Sequence, residues 1–398
     1  ALRRPLKKWA AVGALVAALL YTLLVDAPVT ALRAFVMSAI MLGAVLADRE
    51  PLSMRLVAWS AAALLLTAPE VLLGASFQLS FAAVVPLVAV YEVLRRRQAL
   101  RPKPGIAGRG LIYLRDLVLA SAVASAATTP IGAYHFNQGA LYGLVANLLA
   151  VPLNGAWVMP WGLLAYLLMP FGLEALALVP MGWGLDATLW IAAKVAAWPQ
   201  AEFLAPAAPA ASLALFALGG LWLCLWQSRL RLFGLLPMAL AFALGAAAPK
   251  PDILVNNDGQ LVAVRGADGR LMLSDLRRDR LDAETWLRRN AQAKAERFPK
   301  DGETAGKWLR CDDQACLYRR GPWAVALVRR AEALAEDCRI ADIVISAVPV
   351  RMPCPALLVV DPGSLRDTGA LAIGLRGLDP TVETVAAARG RRPWTGRP

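Results

Sequence analysis

The chain has 398 residues, of which 58% are hydrophobic, and it carries a formal net charge of +13 at pH 7. The apolar content excludes a disordered chain, and the combination does not fit an ordinary soluble enzyme. The composition therefore indicates a membrane protein.

Charges are distributed differently in the two parts of the chain. Before about Pro249 they gather in short clusters between apolar runs, and the following segment is polar and rich in Arg and Asp. We therefore predict a transmembrane domain over 1–249, an α+β domain over 250–378 and a basic, disordered tail over 379–398. The chain begins at Ala1 with RRPLKK directly before an apolar run and shows no signal-peptide pattern, so we expect a truncated N-terminus.

Several apolar segments reach or approach the roughly 20 residues that a membrane-spanning helix needs. We predict about nine of them, at 9–25, 31–47, 55–73, 77–94, 116–136, 141–169, 172–198, 210–227 and 232–248. The segment 141–169 is too long for a simple span and contains Pro152 and Pro160, which predict a kinked helix or a re-entrant half-helix. The expected fold is a polytopic α-helical membrane protein followed by a small α+β domain.

Basic residues in the short loops predict the orientation, because Lys and Arg are retained on the cytoplasmic side. Basic residues occur at 3–8, 49–55 and 95–103, whereas the loops at 26–30 and 67–76 contain none. This alternation predicts four consecutive crossings of a bacterial inner membrane. Continuing the count places the segment after Pro249 in the periplasm.

The cysteines agree with an exported C-terminal domain. Cys224 lies in an apolar segment, and the other four follow the domain boundary: Cys311, Cys316, Cys338 and Cys354. An even number of cysteines in an oxidising compartment predicts two disulfides, with three possible pairings. A zinc site is the less favoured interpretation, because the spacing of these cysteines is not that of common zinc ligands.

The C-terminal domain has the pattern of an α+β fold. Short apolar strands are predicted at 252–275, separated by the hairpin sequences NNDG and ADG, with further strands in WAVALVR, ADIVISAV and PALLVVD and helices near 282–297 and 331–338. The single histidine of the chain, His135, lies in the membrane part. The domain therefore lacks the ligands of ordinary metal-dependent hydrolysis, and we predict neither an enzyme nor a cofactor. Asp337, Asp342 and Asp361 are interpreted as turn or cap residues at strand ends.

Polar residues within the apolar segments are the candidate site residues. Gln78 and Ser80 lie in one span, and Asn147 and Asn154 flank Pro152 in another. A buried amide in hydrocarbon needs partners, so each either bonds a neighbouring helix or lines an aqueous path. Irregular backbone at membrane depth occurs only where it is buried in protein or lines a cavity, which favours the segment around Pro152 as a path.

A second group of polar residues lies at the expected outer ends of spans. His135, Asn137 and Gln138 form either an interfacial loop or a polar vestibule. Arg33 lies one turn inside a span, where its guanidinium either snorkels to the interface or attracts an anion.

Three stretches, in this order, resemble the ComEC-type competence proteins. They are APVTALRAFVMSAIMLGAVLADR (27–49), PEVLLGASFQLSFAAV (69–84) and TTPIGAYHFNQGALYGLVANLLAVPLNG (128–155). Ser76 stands where the family pattern leads us to expect Gly. The resemblance covers most of 27–200.

The resemblance implies a channel that passes single-stranded DNA across the inner membrane during natural transformation. It implies a periplasmic DNA receptor and a cytoplasmic helicase-like motor as partners, besides membrane lipid, and an oligomer is compatible with it. Family members commonly carry an N-terminal OB-like domain, which this sequence does not include, as expected of a truncated chain, and many end in a metallo-β-lactamase-like domain. The metal-binding motif of that domain has no counterpart here, so the C-terminal fold is expected to be at most a degenerate β-lactamase-like one. The alternatives are a transporter or flippase for a lipid or small polar solute, and a membrane-anchored scaffold whose exported domain is the active part.

Overall fold

The computed structural model describes residues 5–26, 29–50, 53–98, 105–275, 277, 279–299, 304–306, 308–377 and 379–390. The chain divides into two compact units. The membrane unit comprises residues 1–203 and 208–246, and the C-terminal unit comprises 204–207 and 247–398.

The membrane unit is built from apolar helices. They are α1 (Leu6–Leu24), α2 (Val29–Leu46), α3 (Met54–Thr67), α4 (Ala75–Gln98), α5 (Ile106–Phe136), α6 (Gly143–Leu153), α7 (Met159–Leu168), α8 (Ala175–Ala196), α9 (Ala210–Leu225) and α10 (Leu235–Ala247). Within the described residues, six segments are long and apolar enough to cross a membrane: 6–24, 75–95, 108–136, 143–171, 175–196 and 229–247. The apolar helices at 30–46, 54–67 and 210–225 are shorter than this length. The membrane-helical part of the predicted fold is confirmed.

The predicted span 55–73 is wrong at its C-terminal end. Helix α3 ends at Thr67, and Pro69–Leu73 forms a separate 3-10 turn. The residue before a proline is disfavoured in α-helical geometry, and Ala68 accordingly has an extended φ of -150°. The turn orients the chain for the start of α4.

Basic segments lie together at one end of the membrane unit. Lys8 Nζ lies 2.5 Å from an Asp48 carboxylate oxygen, and Arg95 forms an ion pair of 3.0 Å with Glu50. At the other end, strand β1 (Gln138–Ala140) pairs with β2 (Glu202–Leu204). The unit therefore has one end with ion pairs and one end with a small sheet.

The C-terminal unit contains two six-stranded sheets, and its α+β character is confirmed. The first, in the order β14-β13-β3-β4-β5-β6, comprises Ile253–Val255 (β3), Val262–Arg265 (β4), Leu271–Leu273 (β5), Glu296–Arg297 (β6), Leu371–Gly374 (β13) and Thr381–Thr384 (β14). The second, in the order β12-β11-β10-β9-β8-β7, comprises Thr304–Ala305 (β7), Leu309–Cys311 (β8), Ala315–Arg320 (β9), Trp323–Val328 (β10), Ile343–Ser346 (β11) and Leu358–Val360 (β12). The helices are α11 (Arg280–Arg289), α12 (Leu334–Ile340), α13 (Pro362–Thr368) and α14 (Val385–Arg389).

Side-chain alternation along the strands builds a layered core. On β10, Val325 and Leu327 face the core between the two sheets, whereas Ala326 and Val328 pack under α12. Helix α11 covers the outer face of the first sheet through Ala283 and Leu287. The resulting order of layers is helix, sheet, sheet, helix.

Two predicted segments of this unit need correction. The helix expected over 282–297 ends at Arg289, because Ala291 has a φ of 56° and the chain then forms β6. The segment 379–390, expected to be disordered, forms β14 against β13 and then α14, whose first turn is capped by Thr384. Cross-strand pairing supplies order that the local composition does not signal; residues 391–398 lie outside the described residues.

Candidate functional site

Polar residues of α2, α4 and α5 form two contacts near the end of the membrane unit that carries β1. The guanidinium of Arg33 on α2 donates a hydrogen bond to the Ser76 hydroxyl at the start of α4. Two residues further along α4, the Gln78 side chain reaches His135 in the last turn of α5. Ser76 and Gln78 are two residues apart and point about 200° apart around α4, so these are two separate contacts at one end of the unit. We call their four residues, Arg33, Ser76, Gln78 and His135, the polar cluster.

Gln78 is held by two hydrogen bonds that fix its amide orientation. Its Nε2 donates to the carbonyl oxygen of Leu72 at 3.0 Å, and its Oε1 lies 2.7 Å from His135 Nε2. Because the Gln78 oxygen can only accept, this arrangement assigns the proton to His135 Nε2. The side chains thus connect the 3-10 turn, α4 and α5.

The chain leaves α5 through a left-handed residue. Asn137 has a φ of 57° and is 9% exposed, and its backbone N–H donates to the Ala133 carbonyl at 2.9 Å. Asparagine tolerates this conformation better than most residues with a side chain, so it ends the helix and starts β1. Gln138 is the first residue of β1 and is half-buried. Asn137 and Gln138 therefore follow the polar cluster directly in the chain.

Of the two predictions for the segment with Pro152 and Pro160, the re-entrant half-helix is wrong, because the chain continues as one helical segment over 143–171. Helices α6 and α7 are joined by a π-helical turn over Asn154–Val158, and the flanking residues keep right-handed helical angles. The Met159 N–H donates to the Asn154 carbonyl, five residues earlier. A proline ring clashes with the carbonyl four residues before it, and the wider π turn relieves this clash for Pro160 without unwinding the helix.

The two asparagines of this segment lie in different environments. Asn154 Nδ2 donates to the Ala150 carbonyl at 2.9 Å and lies 3.4 Å from the Thr188 hydroxyl of α8. Asn154 therefore bonds a neighbouring helix, which is one of the two roles predicted for an intramembrane amide. Asn147 lies on an exposed face of α6. The structure therefore does not bring Asn147 and Asn154 to the polar cluster.

Ser80 is half-buried on α4 and lies about 200° around the helix from Gln78. Ser76, in contrast, enters the site as the acceptor for Arg33, a role that the sequence analysis missed. The signal available was a hydroxyl on the same span as Gln78, close to the end that carries Arg33. Of the predicted site residues, Arg33, Gln78, His135, Asn137 and Gln138 belong to this end of the unit.

In the C-terminal unit the candidate residues are structural. Disulfides join Cys311 to Cys316 and Cys338 to Cys354. Asp361 caps α13, and its carboxylate accepts from the Ser364 and Val350 amides. Partial burial opposes ionisation of Asp361, but these bonds, with those from the Ser364 hydroxyl and the Gly363 amide, lower its pKa. Asp342 accepts from the Ala324 amide at 2.8 Å.

Asp337 differs from the expected strand-end residue, because it lies within α12. Burial, together with the charges of Asp312 and Glu336, raises its pKa to about 6.

Within the described part of the chain, no group of three or more His, Cys, Asp or Glu is arranged to hold a metal ion. A cavity of about 300 Å³ is lined by residues of both sheets and of the loops beside them, including Gln260, Ser274 and Arg329.

The fold and the polar cluster define a multi-helix membrane protein with an α+β domain. The family model described as Competence protein matches residues 1–230. This is more than half of the chain, so the chain belongs to the competence protein family, of the ComEC type, and has a role in DNA uptake. No curated protein and no solved structure matches the chain significantly.

Proposed function

We propose that the protein is a channel that passes single-stranded DNA across the bacterial inner membrane, and that the strand enters at the polar cluster. The observation that carries this proposal is a pair of polar contacts, Arg33 to Ser76 and Gln78 to His135, that link three helices within the part of the chain that matches the family. Polar side chains within membrane-spanning helices are rare, usually bind one another, and mark the paths of substrates and ions.

The chemistry of the cluster suits a nucleic-acid strand. The Arg33 guanidinium can exchange its Ser76 partner for a phosphate, which gives a stronger, charge-assisted hydrogen bond. His135 lies between two aromatic residues: its ring is 5.1 Å from that of Tyr134, and Phe136 is exposed. Proteins that bind single strands without reading their sequence combine cationic side chains with aromatic faces for the bases.

The same proposal includes an orientation. The end with Lys8, Asp48, Glu50 and Arg95 faces the cytoplasm, and the polar cluster faces the periplasm. The C-terminal unit is then exported, which agrees with the chemistry of its two disulfides. Its layer order is compatible with a degenerate β-lactamase-like fold, and we propose that it is not an enzyme but binds DNA or a partner. A cytoplasmic motor would supply the driving force, and a periplasmic receptor would deliver the DNA.

The test follows labelled DNA in a strain that lacks the gene, scoring protected periplasmic DNA and cytoplasmic DNA separately. We expect DNA to accumulate in the periplasm and not to reach the cytoplasm, with rescue by the wild-type gene. Unchanged cytoplasmic arrival would refute the channel and favour the solute transporter or flippase.

Complementation with variants tests the site itself. Arg33→Ala and Gln78→Leu should reduce cytoplasmic arrival at least tenfold at equal membrane levels. Ser80→Ala is the matched control, because Ser80 lies on the same helix and takes part in neither the Arg33–Ser76 contact nor the Gln78–His135 contact. Equal transport by all three variants would remove the polar cluster from the path.

A further inference from the structure

A small pocket lies between α7 and α8, at the opposite end of the α6–α7 helix from β1. Its volume is about 170 Å³, and its lining includes Gly162, Tyr166, Met169, Glu174 and Met181. Glu174 is the residue immediately before α8, and it is the one ionisable acid in this lining. The remaining walls are aromatic, sulfur-containing or aliphatic.

One oxygen of the Glu174 carboxylate has no hydrogen-bond partner among the described residues. Its Oε2 atom is buried and has no hydrogen-bond partner, and the side chain does not cap α8. A buried carboxylate oxygen without a partner is costly, and this cost is offset when a cation or a donor occupies the space in front of it. Glu174 also lines the pocket, so a ligand there with at least one strong donor lies beside this carboxylate.

The surface around the pocket indicates where such a ligand comes from. Leu163 and Leu167 on α7 and Leu176 on α8 are each more than 60% exposed, as are many other large apolar residues of these helices. In a membrane-spanning unit such a surface faces lipid chains. A molecule in the pocket is therefore in contact with the bilayer, and an amphiphile matches both the pocket and its surroundings.

We propose that this pocket binds the primary ammonium of an amine-headgroup phospholipid, with the Glu174 carboxylate as acceptor. An ammonium has three donors, and it can also interact with the Tyr166 ring and the polarizable Met169 and Met181 sulfurs. A divalent cation fits less well, because it needs about six oxygen ligands. The acyl chains of the lipid lie along the exposed leucines. The site is separate from the polar cluster, and the inference does not depend on DNA transport.

The experiment measures lipid retention by the purified full chain in native mass spectrometry. The probes are phosphatidylethanolamine, phosphatidylglycerol and phosphatidylcholine with the same acyl chains. Phosphatidylcholine keeps the positive charge but its quaternary ammonium cannot donate a hydrogen bond. Free ethanolamine is added as a competitor, to distinguish the headgroup alone from the intact lipid.

We expect the wild-type chain to retain phosphatidylethanolamine about tenfold more strongly than the other two lipids, as one charge-assisted hydrogen bond allows. Glu174→Gln should abolish this preference. Asp186→Asn removes the same charge from an exposed position of α8 and should leave the preference unchanged. Gly162→Leu keeps the carboxylate but fills the pocket, and it should also abolish the preference.

Three results would overturn the proposal. The first is equal retention of all three lipids by the wild-type chain. The second is an unchanged preference in Glu174→Gln, and the third is an equal loss in Asp186→Asn. Displacement of the lipid by millimolar ethanolamine would show that the pocket binds a free amine, which also contradicts a lipid site.

Discussion

The contact between Gln78 and His135 makes a quantitative prediction for the stability of the membrane unit. Gln78→Leu removes the 2.7 Å contact to His135 and the 3.0 Å bond to the Leu72 carbonyl, whereas His135→Phe removes only the first. A hydrogen bond between membrane helices contributes about 0.6 kcal/mol on average and up to about 1.7 kcal/mol. We therefore expect Gln78→Leu to destabilise the unit by about 1–2 kcal/mol and His135→Phe by about 0.5–1 kcal/mol.

The double variant isolates the shared contact. Because both single variants remove the same interaction, the double variant should cost less than their sum, by about 0.5–1.5 kcal/mol. The assay is reversible unfolding of the full chain in mixed micelles, with the four proteins measured at one temperature. Ser80→Ala combined with His135→Phe is the control and should be additive. Additivity of Gln78→Leu and His135→Phe would refute the inferred contact, and with it the assignment of the His135 proton.

The remaining predictions concern the C-terminal unit. The pKa of Asp337 is raised in the folded protein to about 6 from 3.8, so the folded state binds the extra proton, and the unit should lose stability as the pH rises from about 4 to 6. Asp337→Asn should abolish this dependence of stability on pH. At pH 7 it should also stabilise the unit by about 1 kcal/mol, after allowance for the partial exposure of Asp337, as measured by pulse proteolysis. An unchanged pH dependence would contradict the raised pKa of Asp337. Removal of the Cys338–Cys354 disulfide, which closes 16 residues, should cost about 3 kcal/mol, against about 2 kcal/mol for Cys311–Cys316, which closes 5. The reverse order of unfolding midpoints would contradict this loop-length argument. In protein taken from cells without reductant and then denatured, a thiol reagent should label Cys224 alone; labelling of the four other cysteines would place the C-terminal unit in a reducing compartment. Asp361→Ala should cost about 1 kcal/mol through loss of the α13 cap, whereas Asp367→Ala on the same helix should be nearly neutral. Equal effects of these two substitutions would show that the cap does not stabilise the unit.

Local sequence patterns predicted the presence of helices and strands better than the residues at which they begin and end. Apolar runs gave α1, α4, α8 and α10, because a helix that faces lipid must be apolar over its whole length, whatever its neighbours are. The NNDG and ADG turns placed β3, β4 and β5 correctly, because turn residues act within a few positions. The re-entrant half-helix predicted from Pro152 and Pro160 does not form: Pro152 lies within α6, and the π turn before Pro160 relieves the clash of that ring while the helix continues.

The sequence by itself determined the class of the protein, since long apolar runs, basic loops and family-like stretches are properties of consecutive residues. Only the tertiary structure decided which distant residues contact one another. Gln78 and His135 are 57 residues apart, and the cysteines allowed three pairings until β8 and β9 placed Cys311 opposite Cys316. Strand β14 exists because β13 offers it a hydrogen-bonding edge. Contacts between distant residues depend on how helices and strands pack, and no local pattern records that packing.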